Sequence, residues 1–345
     1  MGKHPDGGKD KDTELQRTVS FVDAPGHETL MAVMISGASI MDGALLLIAA
    51  NEQCPQPQTR EHLAALQIAG IENIVIVQNK VDLVTRERAI ESHNEISEFV
   101  SGTIAENAPI IPVSAHHDVN LDILIQAVED QIPTPDRGDE DGMMHIARSF
   151  DINRPGTRPD GLKGGIIGGS IVRGRFSKGD NVVIAPGRRT TQGSKQKWTP
   201  IETRIMSMKG GGLDLEEMNA GGLCGISTPL DPSMTKADNL SGQVMARKGE
   251  LPPIWEVMSL DLTLLERMVA SEEGKADKVK PLALNEMLMI NAATATSVGV
   301  VNKVSKGVTT LTLRLPICAP IGSRVTLSRR IDSRWRLIGH GTISG

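Results

Sequence analysis

The stretch NIVIVQNKVD, residues 73–82, decides the fold of this chain. Its apolar run NIVIVQ predicts a buried strand, and the polar NKVD follows at the carboxyl end of that strand, where open α/β sheets bind their ligands. An aspartate at this edge can accept hydrogen bonds from both N1–H and N2–H₂ of guanine, two donors that adenine lacks. We therefore predict a guanine site, although four letters with one free position also fit a solvated turn.

Each polar residue of NKVD has a role in this interpretation. Asp82 recognises the base, and the methylene stem of Lys80 lies over the ring. Asn79 bridges neighbouring loops and reaches the purine edge. A buried carboxylate left without its partners costs a few kcal/mol, which is enough for strong selectivity.

Two further motifs close apolar runs and support the same interpretation. VSAHH (113–117) places the backbone N–H groups of Ser114, Ala115 and His116 where they can donate to the guanine oxygen. DAPGH (23–27) contributes the phosphate side of the site. Three motifs in this order, each at the end of a predicted strand, indicate guanine-nucleotide binding.

The residues of DAPGH fit the chemistry of a terminal phosphate. We expect Asp23 to hold Mg²⁺ through water, and the Gly26 amide to face the γ-phosphate because glycine lets the backbone come close. His27 is the candidate catalytic residue that orients the attacking water, since hydrolysis at phosphorus depends mainly on orientation and charge stabilisation. Alternatively, His27 is a histidine at a helix N-terminus with no catalytic role.

The pattern of apolar residues divides the chain into an α/β part and an all-β part. Strands are predicted at 19–22, 44–50, 73–79 and 109–115, with helices between them, one of them N-capped by Thr59. The Pro- and Gly-containing segment 132–142 is the best linker. Later segments alternate strictly and predict β-barrels or sandwiches, with a break near 249–253. The expected domains are 1–136, 143–248 and 249–345.

Composition excludes several classes of protein. The net charge is −5 with pI near 5.9, and there are no tyrosines, four phenylalanines and three tryptophans, which disfavours base stacking as the main mode of RNA binding. The three cysteines, Cys54, Cys224 and Cys318, lie far apart, so neither a zinc site nor a disulfide framework is indicated and buried free thiols are expected. No signal peptide or membrane span is apparent, and a cytoplasmic location is expected.

Several long stretches together resemble one family. They are DAPGH, the run from Pro25 to Leu63, QNKVDLV, GTIAENAPIIPVSAHH, RSFDINRPGT and SRRIDSRWRLIGHGTI. They are similar to the gamma subunits of archaeal and eukaryotic initiation factor 2, over nearly everything from residue 14 onward. The resemblance implies a translational GTPase built like elongation factor Tu, with an α/β G domain and two all-β barrels. It also implies GTP/GDP and Mg²⁺ as cofactors. The implied partners are initiator methionyl-tRNA, the small ribosomal subunit and the alpha and beta subunits.

The chain departs from this family at its amino end. Members begin with a strand and the phosphate loop GxxxxGK[ST], whereas no G-K-[ST] occurs here. At ~1.5–3 kcal/mol for each charge-assisted bond, a missing phosphate loop removes roughly 8 kcal/mol, or about six powers of ten in affinity. We expect an N-terminally truncated G domain, arising from an internal or misassigned start or an incomplete fragment. The alternatives are a nucleotide-independent scaffold for tRNA and proteins, or another elongation-type GTPase such as a selenocysteine factor.

Basic residues gather in two places, RRTTQGSKQKW (188–198) and SRRIDSRWR (328–336). Lysine and arginine bind phosphates without reading sequence, so either stretch is a candidate contact for tRNA. A solvated edge of a β-barrel explains the same residues equally well.

Overall fold

The computed structural model describes residues 17–23, 40–138, 141–192, 195–265, 278–305, 307–331 and 334–345. Its first unit is a three-stranded parallel sheet in the order β1 (Ala44–Ala49), β2 (Ile74–Asn79), β3 (Ile110–Pro112). Residues 74–77 of β2 are at most 3% exposed. A central strand covered on both faces has no solvated side, which explains why this run is apolar without alternation.

Three helices accompany the sheet: α1 (Pro57–Ala69), α2 (Arg86–Val100) and α3 (Leu121–Gln131). Helix α1 begins with Pro57, whose missing N–H costs nothing in a first turn, and ends where Gly70 adopts φ 74°. The prediction that Thr59 caps this helix is wrong, because Gln56 holds the N-cap position and Thr59 lies inside the helix. At α2, the Thr85 side chain accepts a hydrogen bond from the Arg88 amide and caps the helix.

The prediction of a strand at 19–22 is also wrong. Residues 17–23 have no regular secondary structure, and the Phe21 side chain is 73% exposed. A strand needs a neighbour to pair with, and within the described residues β1 is an edge strand that pairs only with β2. The apolar character of VSFV alone therefore does not place it in the sheet.

Residues 17–23 instead bridge two parts of the molecule. Arg17 pairs with Glu129 at 2.9 Å, and its guanidinium also donates to the carbonyl oxygens of Ile132 (2.5 Å) and Val128 (3.1 Å) at the end of α3. A cation at a helix C-terminus is favourable because it meets unpaired carbonyl groups there. Further along, the Ser20 hydroxyl accepts a hydrogen bond from the Leu223 amide at 3.2 Å.

Residues 143–247 form an antiparallel β unit. Its eight-stranded sheet has the order β10-β9-β12-β5-β4-β13-β7-β8, and a separate pair joins β11 to β6. A single apolar core fills it, centred on fully buried residues such as Met144, Phe176 and Met245. A short helix, α4 (Pro232–Thr235), precedes β13. The strands are β4 (Met143–Phe150), β5 (Ile166–Arg173), β6 (Arg175–Ser177), β7 (Asn181–Gln192), β8 (Lys195–Arg204), β9 (Ser207–Gly210), β10 (Leu213–Leu215), β11 (Glu217–Asn219), β12 (Cys224–Ser227) and β13 (Val244–Arg247).

The last unit is a closed six-stranded barrel in the order β14-β17-β16-β15-β18-β19. Closure removes exposed strand edges, and the alternating side chains expected from sequence fill the interior, among them Leu260, Ile290 and Leu311. The strands are β14 (Ile254–Leu264), β15 (Met287–Ala292), β16 (Ala295–Ser305), β17 (Val308–Cys318), β18 (Arg324–Ile331) and β19 (Arg334–Ile343). The structure therefore confirms a parallel α/β unit followed by β-rich units.

Helix α1 packs against this barrel. Ala65 and Ile68 form a small apolar cluster with Leu337 of β19. Beside it, Arg336 lies 3.6 Å from Glu61, and Arg324 donates to the Ile68 carbonyl oxygen at 3.4 Å. The first unit is thus joined to the barrel by both apolar and charged contacts.

Candidate nucleotide site

The ends of β2 and β3 are joined by the side chain of Asn79. Its Oδ1 accepts hydrogen bonds from the Lys80 amide at 2.8 Å and from the Ala115 amide at 3.2 Å. Lys80 adopts the left-handed conformation, φ 63°, which turns the chain sharply as it leaves the strand. The two sequence motifs NKVD and VSAHH therefore meet in space, as expected for neighbouring parallel strands.

Asp82 lies in a single 3₁₀ turn, Val81–Leu83, directly after this corner. The Ser114 hydroxyl beside it is the largest influence that lowers the pKa of the Asp82 carboxyl, and the imidazoles of His117 and His116 lower it further. The carboxylate is therefore ionised at neutral pH, as recognition of guanine requires. The hydroxyl oxygen of Ser114 is buried, and it has no partner of regular hydrogen-bond geometry among the residues that the structure describes.

The loop after β3 is closed by a bridge between Ser114 and Val119. The Ser114 amide donates to the Val119 carbonyl oxygen at 3.3 Å, and the Val119 amide donates back at 3.0 Å. The Ala115 amide is engaged by Asn79. Of the three amides predicted to meet the guanine oxygen, that of His116 makes no hydrogen bond to the described residues and is free to donate.

A cleft of about 490 Å³ opens beside this corner, in the size range of small-molecule sites. It lies between the ends of β1 and β2 and the first turns of α1. Asn79 and Lys80 line it, together with His62, whose pKa is lowered by burial. Asp82 and Ser114 are not among the residues that line the cleft.

The phosphate side of the predicted site is described only at Asp23. Gly26 and His27 lie outside the described residues. Asp23 is exposed at the end of the segment 17–23, whose described hydrogen bonds lead to α3 and to Leu223. No group of three or more His, Cys, Asp or Glu residues in the described ranges could hold a metal ion. Because Mg²⁺ is usually held by one or two carboxylates together with phosphates and water, Asp23 as a metal ligand stays a prediction.

Two side chains at this site were not singled out from the sequence. His117 Nε2 lies 3.8 Å from Asp82 Oδ2. Gln78, which is buried in β2, donates to the Ala89 carbonyl oxygen at 2.8 Å and ties the strand to α2. His117 was visible as the last residue of VSAHH, but its position beside NKVD depends on how the two loops turn.

The stretch 328–336 is largely occupied by contacts within the chain. Arg329 is held by Glu286 at 2.5 Å and by the carbonyl oxygens of Lys280 and Pro281, while Arg336 faces Glu61. Arg330 is exposed. The structure thus gives two of these cations, Arg329 and Arg336, a structural role.

Comparison with known proteins identifies two family models in the chain. Residues 12–134 match the elongation factor Tu GTP binding domain, and residues 256–343 match the C-terminal region of initiation factor eIF2 gamma. The fold is shared with solved selenocysteine elongation factors at low identity. SelB from Methanococcus maripaludis, in complex with a GTP analogue, has a TM-score of 0.72 at 20% identity and covers 94% of this chain and 70% of that one. Bacterial EF-Sec has a TM-score of 0.71 at 19% identity, covering 92% and 47%.

Curated relatives are much more similar in sequence. Translation initiation factor 2 subunit gamma of Methanocaldococcus jannaschii is 54% identical over 335 residues, covering 97% of this chain and 81% of the relative. The same subunit of Haloquadratum walsbyi is 53% identical over 340 residues, covering 98% and 82%. The match to a GTP-binding domain implies that the chain binds guanine nucleotides, and the similarity to these relatives implies a role in translation initiation. This chain belongs to the family of translation initiation factor 2 gamma subunits, a family of translational GTPases.

Proposed function

We propose that this chain delivers initiator methionyl-tRNA to the small ribosomal subunit in the cytoplasm, as one part of a heterotrimer with alpha and beta subunits. Binding of GTP sets the delivering state, and its hydrolysis is the release switch. The proposal rests on one observation: the Asn79 side chain accepts hydrogen bonds from both the NKVD and the VSAHH loops, beside an ionised Asp82. Family membership supports the remaining parts.

Recognition of the base rests on the edge of guanine. Asp82 accepts from N1–H and N2–H₂, and the free His116 amide donates to the guanine oxygen. Adenine presents the opposite pattern at the same positions, so it leaves both protein groups without partners. Lys80, which lines the cleft, covers the ring with its methylene stem.

Hydrolysis is proposed to follow the chemistry of the DAPGH motif. His27 orients a water whose oxygen attacks the γ-phosphorus, while the bond to the β–γ bridging oxygen breaks and GDP and phosphate leave. Gly26 would face the γ-phosphate with its amide. Mg²⁺ would neutralise phosphate charge, and Asp23 is the residue proposed to hold it through water.

The three units are proposed as domains at 1–136, 143–248 and 249–345. Each has its own apolar core, and the residues described between 133 and 142 contain no helix or strand.

No helix in the described ranges is both long and apolar enough to cross a membrane.

The proposal is tested by changing the residue that is proposed to select the nucleotide base. Replacing Asp82 by Asn removes one acceptor and adds a donor, which suits xanthine, where an oxygen replaces the 2-amino group. We expect Asp82→Asn to weaken binding of GDP and to strengthen binding of XDP, measured by NMR titration. Asp118→Asn, in the neighbouring loop, is the matched control and should keep the preference for GDP. Unchanged preference in Asp82→Asn would remove Asp82 from the base site.

A nucleotide-independent scaffold is the second candidate. It is favoured by the exposed position of Asp23 at the end of a segment whose described hydrogen bonds lead to α3 and to Leu223. For the chain as given we expect no tight GTP binding by calorimetry, and micromolar or better affinity would contradict this. Binding of methionylated initiator tRNA that is equal with and without a GTP analogue would support the scaffold.

A further inference from the structure

Asp82 lies between two side chains of the neighbouring loop, Ser114 and His117. The Ser114 hydroxyl is buried, whereas the His117 ring is 59% exposed and approaches the carboxylate with Nε2 at 3.8 Å from Oδ2. The Asp82 side chain is itself 24% exposed. The carboxylate that meets guanine in the proposed function therefore also faces a titratable ring.

The backbone of the loop holds the His117 ring in this place. The His117 amide donates to the Ser114 carbonyl oxygen at 3.2 Å, inside the bridge that Ser114 makes with Val119. Asp118 adopts φ 55°, which turns the chain directly after His117. The His116 ring packs edge-on against the His117 ring, with centroids 4.7 Å apart. The short approach to Asp82 thus follows from a closed, hydrogen-bonded loop.

We propose that His117 is a positioning residue of the base site, whose protonation decides whether Asp82 is available to guanine. A protonated imidazole pairs with Asp82 and withdraws it from the N1–H and N2–H₂ donors. A neutral imidazole has no positive charge with which to compete with guanine for the carboxylate. The inference rests on the proposed function, because it concerns the affinity of the same site for guanine nucleotides.

The pH range of the test is set by the types of ionisable side chain near Asp82. Among side-chain types, imidazole is the one that ordinarily changes charge between pH 5 and 8. Asp82 remains ionised across this range because its pKa lies below the usual value. The charged or titratable residues on the two loops and in the first turn of α3 are Lys80, Asp82, His116, His117, Asp118 and Asp122.

The first test measures GDP binding by NMR titration at pH 5.5 and pH 8.0. Attraction between unit charges 3.8 Å apart in water corresponds to about a fivefold change in an equilibrium constant. Because the terminal phosphate of GDP also titrates, each variant is compared with wild type at both values of pH. We expect the fall in GDP affinity from pH 8.0 to pH 5.5 to be about fivefold smaller in His117→Gln than in wild type. At pH 8.0, we expect His117→Lys to bind GDP about fivefold more weakly than His117→Gln. His93→Gln, an exposed histidine of α2 outside the two loops, is the control and should keep the wild-type profile. A wild-type pH profile in His117→Gln would overturn the proposal.

The second test needs no nucleotide. The ¹³C signal of the Asp82 carboxyl is titrated in wild type and in His117→Gln. Loss of the neighbouring cation should raise the titration midpoint of Asp82, and an unchanged midpoint would overturn the contact. If no variant binds GDP at either pH, the proposed role of His117 in guanine binding fails together with nucleotide binding by this chain. The carboxyl titration would then still show whether the His117–Asp82 contact exists, so the two failures are distinguishable.

Discussion

The guanidinium of Arg336 lies 3.6 Å from the carboxylate of Glu61, so a strand of the C-terminal barrel meets a helix of the N-terminal unit through a charged pair. Glu61 is only 5% exposed, and the apolar contacts of Ala65 and Ile68 with Leu337 lie beside it. An ionised carboxylate with so little access to water depends on its cationic neighbours.

We therefore predict that Arg336→Ala destabilises the protein. Removing the cation from a nearly buried carboxylate should lower the free energy of unfolding by about 2 kcal/mol, less than for a fully buried pair because Arg336 is partly exposed. Urea unfolding monitored by tryptophan fluorescence measures this change. Arg330→Ala, an exposed arginine of the same barrel, should change stability by less than about 0.5 kcal/mol. Equal effects of the two substitutions would contradict the role of the pair.

Asn79→Ala should loosen the corner between β2 and β3. The substitution removes the acceptor for the Lys80 and Ala115 amides, with an expected cost of about 1–2 kcal/mol. Hydrogen exchange of the Ala115 amide should become faster, and GDP binding should weaken. Asn73→Ala, at the opposite end of β2, is the control and should leave Ala115 exchange unchanged. Protection of Ala115 that survives in Asn79→Ala would show that another group holds the loop.

His145 should make stability depend on pH. Burial lowers the pKa of this imidazole to about 4, so the folded protein keeps it neutral while the unfolded chain takes up a proton near pH 6.5. Its contribution is constant above pH 7 and is lost progressively as pH falls from about 6.5 to about 4, by up to about 3 kcal/mol. Urea unfolding at several pH values should show a shallower loss in His145→Gln than in wild type. His93→Gln, at an exposed position, should follow the wild-type curve.

The three cysteines should be unreactive in the folded protein. Burial raises the pKa of Cys54 to about 11 and those of Cys224 and Cys318 to about 12. Fewer than about one thiol in a thousand is then a thiolate at pH 7.5. Iodoacetamide labelling followed by mass spectrometry should detect little modification in buffer and complete modification in concentrated urea. Rapid labelling of Cys54 in buffer would show that its loop opens.

The sequence was most informative where local pattern and packing agree. The runs at 44–50 and 73–79 contain strands β1 and β2, because each has a continuous apolar stretch of the kind that suits a strand of a parallel sheet. The three buried thiols and the meeting of NKVD with VSAHH are likewise confirmed by the structure. In these cases the outcome follows from burial and from the common direction of parallel strands.

Other features depend on partners far away along the chain. VSFV has the composition of a strand, but it pairs with none of the described strands. The cations of 328–336 looked available for phosphates, whereas Arg329 and Arg336 are engaged by Glu286 and Glu61. His117 meets Asp82 only because a left-handed Lys80 and a closed loop bring them together. Contacts of this kind, between residues far apart along the chain, cannot be predicted from a local sequence pattern.

Helix α1 has a mechanical consequence for the whole molecule. Its first turns line the cleft near Asn79, and residues Ala65 and Ile68 further along the helix pack against Leu337 of β19. A helix of 13 residues is a stiff rod about 20 Å long, so a tilt at one end is transmitted to the other instead of being absorbed. Enlarging Ala65, which is fully enclosed, would push the rod away from the barrel and thereby reshape a cavity that Ala65 never touches.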